Sequence, residues 1–104
     1  MSCVNFACNL DAIPAGERAH YRALVEAIGS AAVRRDELEN GYRFELDGTS
    51  VGLEAVAEWM SLERHCCPFL RIELATTGDC PNWMLTLSGR EGVKEIIDFA
   101  FPAR

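Results

Sequence analysis

The stretch Glu63-Arg64-His65-Cys66-Cys67-Pro68 is where this sequence gathers side chains capable of chemistry. Glu63 precedes the two adjacent cysteines by three and four residues. On a helix that persists through Cys66, its carboxylate and the Cys66 thiol share a face. His65 is adjacent but points roughly 100° round the helix. Soft thiolates with a carboxylate or an imidazole form a donor set for Zn²⁺ or softer thiophilic metals. Two adjacent cysteines rarely complete a tetrahedron together, so a third thiol is wanted. Cys8, on the apolar face of an expected first strand, is the nearest candidate. The candidate metal ligands are therefore Cys66, Cys67, Cys8, Glu63 and His65, and the expected partner is a metal or metalloid ion.

Two other readings compete. Adjacent cysteines can close a strained vicinal disulfide, the labile and regulatory kind, which makes a thiol redox protein or sensor. Against it, these cysteines fall at a helix C-terminus, whose dipole disfavours a thiolate. Cys66 and His65, as sequence neighbours, also do not face each other as nucleophile and base must. The third reading is an interaction module with inert cysteines: a free Cys packs as a small hydrophobe, and Cys66 continues the stripe of Trp59 and Leu62. No catalytic residue and no organic cofactor follow. Cys3 and Cys80 read as terminus and loop. His20, Glu54, Glu58 and Arg64 read as solvated surface, and Trp59 and Trp83 as core.

These residues are positioned by a regular alternation of elements. Val4, Phe6, Cys8 and Leu10 alternate with polar or small residues, which predicts a strand. Tyr21, Leu24, Val25 and Ile28 predict a helix over 15–28, stopped by Gly29. Asn40-Gly41 predicts a tight hairpin turn with positive φ at both residues. It joins a polar edge strand, Ala32 to Glu39, to the alternating Tyr42, Phe44 and Leu46. A second helix is predicted over 51–65, capped from Gly48-Thr49-Ser50 and ended by Pro68, which biases Cys67 out of the helical region. Its two adjoining apolar stripes make it the most buried helix. Phe69–Ala75 and Trp83–Leu87 predict two more strands. Ser88 and Glu91 match a capping box for a last helix carrying Val93, Ile96, Ile97 and Ala100. The order βαββαββα gives an α+β domain, an antiparallel sheet with helices on one face. It is a ferredoxin-like or related two-layer sandwich, or an internal repeat of helix plus hairpin.

The 104 residues form one domain, with ten basic and sixteen acidic residues and a net charge of −6. That balance repels polyphosphate and argues against nucleic-acid binding. No apolar run approaches the ~20 residues of a membrane span. The first residues have neither the basic nor the apolar region of a secretory signal, so a reducing cytoplasm with mostly free thiols is expected. Phe99 and Phe101 lie off the last helix's apolar stripe, and a homodimer would cover them.

Glu63-Arg64-His65-Cys66-Cys67-Pro68-Phe69-Leu70, followed by the segment Trp83 to Glu95, resembles a family of small, uncharacterised bacterial proteins. Their signature is E-R-x-C-C-P-F-hydrophobic, with a later L-x-L-x-G-x-x-G-x-K-E-like segment. Phe6-Ala7-Cys8-Asn9-Leu10 resembles the family's C-x-L opening. The resemblance implies that Cys8, Glu63, Arg64, Cys66, Cys67 and Pro68 are signature positions. Some family members occur near metal-resistance genes. No catalytic role is implied.

Overall fold

A computed structural model describes residues 9–102. Two 3-10 turns, Leu10–Ala12 and Ala15–Glu17, lead into helix α1, Arg18–Ala31. Strands β1 (Ala32–Leu38) and β2 (Gly41–Leu46) form a hairpin. Helix α2 (Leu53–Cys66), strands β3 (Arg71–Ala75) and β4 (Trp83–Ser88), and helix α3 (Val93–Ala100) follow. The four strands make one antiparallel sheet in the order β1-β2-β4-β3.

The α+β class is as expected. A ferredoxin-like order would set the opening strand beside β2, but β4 pairs along that edge. The described architecture is instead two helix-plus-hairpin units joined through their inner strands, with α3 trailing. Most of the expected opening strand lies outside the described residues, and Leu10 begins a 3-10 turn rather than extending a strand.

The two-residue period of β2 and β4 sorts the faces of the sheet. Tyr42 and Phe44 pair with Leu87 and Leu85, and all four are buried. Arg43 and Glu45 pair with Thr86 and Met84 on the other face. The helices cover the first face: Phe101, just after α3, packs tilted against Phe44 and edge-on against Trp59 of α2, with ring centroids 5.7 and 5.8 Å apart. Phe101 is therefore core, while Phe99 is 91% exposed.

Local signals are realised one step away from their expected places. The hairpin turn is Glu39-Asn40, because Leu38 already pairs with Gly41. Among the described residues only Gly92 has positive φ, so no Asn40-Gly41 turn of that kind forms. Gly41 is needed for another reason: a Cβ there would stand 1.9 Å from the Leu87 carbonyl oxygen of β4. Thr49 and Ser50 bond to the Asp47 carboxylate instead of capping α2, whose N-cap is Gly52. Ser88 pairs with Gly41 on one side and Arg71 on the other, so the expected capping box does not form. Helix α3 starts after Gly92, at φ 96°. Helix α1 runs past Gly29 to Ala31, and the Phe101 ring packs beside Gly29.

Candidate functional site

Helix α2 ends in the segment that carries the candidate ligands. Val56, Trp59, Leu62, Glu63 and Cys66 form its buried face. Spacings of three and four residues place Glu63 between Trp59 and Cys66 on that face. The amide of Cys67 bonds back to the Glu63 carbonyl at 2.7 Å, closing the last turn. Cys67 itself leaves the helix at φ −128° and ψ 74°, as its position before Pro68 requires. The Asn9 amide donates to the Cys66 carbonyl at 2.8 Å, tying the start of the described chain to this helix end.

Glu63, Cys66 and Cys67 are all buried, and their ligand atoms lie within 4.8 Å of one another. This group could hold a metal ion. The Cys66 and Cys67 sulfurs are 4.0 Å apart, so they are not bonded to each other as a vicinal disulfide. Cys66 and Cys80 are free, but Cys67 is disulfide-bonded. That departs from the expectation of mostly free thiols, and it means that the three-donor set is complete only when Cys67 is reduced.

Glu63 is 5% exposed. Tyr21 of α1 donates its hydroxyl to Glu63 Oε1 at 2.6 Å. Burial pushes the Glu63 carboxyl above its usual range, against smaller opposing effects of Tyr21 and Trp59. The Trp59 Nε1–H is fully buried and finds no acceptor at bonding distance, yet it lies near enough to the carboxylate to favour the ionised form. Burial, and then the Glu63 charge, raise the Cys66 thiol, offset in part by Tyr21 and the Asn9 amide. Tyr21 is held in its protonated form, by burial first and by Glu63 second. A cavity of about 40 Å³ adjoins the group, bounded by Tyr21, Trp59, Glu63 and Cys67 and otherwise by apolar side chains.

Of the five expected ligands, three come together. His65 is exposed, carried off the buried face of α2 by its offset of roughly 100° from Cys66 and about 200° from Glu63. Cys8 lies outside the described residues. Arg64 is exposed, and His20 pairs with Glu58 at 2.9 Å on the surface between α1 and α2. Tyr21 and Trp59 were legible only as core. Their polar tips gain meaning once α1 crosses α2 and Glu63 is found inside.

No protein-family model, no curated protein and no solved structure matches the chain. No helix among the described residues is long and apolar enough to cross a membrane.

Proposed function

We propose that the reduced protein binds one thiophilic metal or metalloid ion through Cys66, Cys67 and Glu63. The observation that carries this reading is the burial of three potential anionic donors within 4.8 Å of one another. A buried carboxylate beside thiols weakens a fold unless something compensates it. An ion that binds the folded chain and not the unfolded one returns that stability. The raised Cys66 thiol argues against an activated nucleophile, because a reactive cysteine needs its thiolate at neutral pH. A metal ion displaces that proton directly.

Because Cys67 is disulfide-bonded here, binding is gated by reduction. Equilibrium dialysis of phosphine-reduced protein against Zn²⁺ or antimony(III) tests the reading. One ion per chain is expected, lost in Cys66→Ser/Cys67→Ser. Unchanged stoichiometry in that variant excludes the site, and no binding by reduced wild type excludes the function.

A further inference from the structure

We infer that Tyr21 is the positioning residue of the ion site: its hydroxyl holds one oxygen of Glu63, so that the other, Oε2, is the one offered to the ion. This rests on the preceding reading. Tyr21 stands on α1 and donates to Glu63 Oε1 at 2.6 Å. Among the described residues, no other donor reaches the carboxylate at bonding distance. Oε2 therefore keeps its lone pairs, and a carboxylate oxygen lies within 4.8 Å of both sulfurs. Burial and the Glu63 charge keep the Tyr21 hydroxyl protonated, so it stays a donor.

The carboxylate has a competing place to go. A helical side chain leans toward the N-terminal end of its helix. For Glu63 that direction leads to Trp59, one turn earlier, and away from Cys66. Trp59 is fully buried, and its Nε1–H has no acceptor at bonding distance. Turned fully toward the indole, Glu63 would satisfy that N–H and withdraw from the thiols. The hydrogen bond from α1 opposes this turn. Outer hydrogen bonds of this kind fix a ligating side chain before the ion arrives, and losing one weakens metal binding by about 10–100-fold. The same hydroxyl also favours the Cys66 thiolate, by less than burial and Glu63 disfavour it.

The test is a double-mutant cycle on the phosphine-reduced full chain: wild type, Tyr21→Phe, Glu63→Ala and the double variant. The probe is Zn²⁺, or antimony(III) where reduced wild type does not bind Zn²⁺. Phenylalanine keeps the ring and removes only the hydroxyl. Tyr21→Phe is expected to raise the dissociation constant by at least about tenfold. In the Glu63→Ala background the same substitution is expected to change it by less than about threefold, the remainder acting through Cys66. A hydroxyl that only stabilises the fold weakens binding equally in both backgrounds, and that result overturns the inference. So does a Tyr21→Phe constant within about twofold of wild type. So does a Glu63→Ala constant equal to that of wild type, since Tyr21 then positions no ligand. Each of these results leaves ion binding by the thiols standing. If reduced wild type binds neither ion, both readings fall.

Discussion

Two groups of ionisable side chains in this protein have opposite surroundings. Along the seam between β1 and α3, charges meet opposite charges in water. Arg35 bonds Asp98 at 2.7 Å, Lys94 bonds Glu37, and both cations lie over the Tyr42 ring at 4.1 and 5.2 Å. The Lys94 hydrogen bond is the main cause that lowers Glu37, and the same bond raises Lys94. At the end of α2, Glu63 and Cys66 are buried with hydrogen-bond donors but no described cation beside them. The seam is electrostatically complete as it stands. The α2 cluster has no such partner charge among the described residues.

Substitutions can break this comparison, and the largest effect is expected at Trp59. It is fully buried and joins α2 to Phe101, so Trp59→Ala should cost about 3–5 kcal/mol in urea unfolding. Its size reflects lost packing rather than the unbonded Nε1. Tyr21→Phe removes the hydroxyl from a mostly desolvated carboxylate and is expected to cost about 1–2 kcal/mol. An unchanged midpoint would mean that Glu63 finds another donor.

Glu63→Gln should act with the opposite sign in the ion-free, unreduced protein. A carboxyl raised on folding binds its proton more tightly in the native state, so wild-type stability falls as pH rises above the ordinary carboxylate range. The variant lacks that loss. Its advantage in urea midpoint should be absent near pH 4, grow as pH rises through the folded pKa, and then level off. An advantage independent of pH would locate its cause outside the carboxyl proton.

The smallest effect belongs to the seam. Lys94→Met removes an exposed pair that water and salt already screen. Its urea midpoint should stay close to wild type, and closer still in 1 M salt. A large loss would show that the seam, too, depends on its partner charge.

Much of the fold was legible because its elements carry clean periods. The alternation of Tyr42, Phe44 and Leu46 and the stripes of α2 fix faces directly. What shifted were the ends, where local signals compete with sheet pairing. Gly41 is drawn into β2 by its close approach to Leu87, and Ser88 is held by two neighbours instead of capping α3. Strand order was not readable, since either β4 or the opening strand satisfies the pattern beside β2. In the candidate site, the shared face of Glu63 and Cys66 followed from spacing alone. The depth of Glu63 did not, because it depends on α1 bringing Tyr21 across α2, a long-range packing that no local spacing encodes.

X-ray absorption on reduced protein loaded with one equivalent of whichever of antimony(III) and Zn²⁺ it binds more tightly reports the ligands themselves. A first shell with two sulfurs and one oxygen from the protein is expected, with one sulfur lost in Cys66→Ala. A shell without sulfur, or one unchanged in Cys66→Ala, would contradict it.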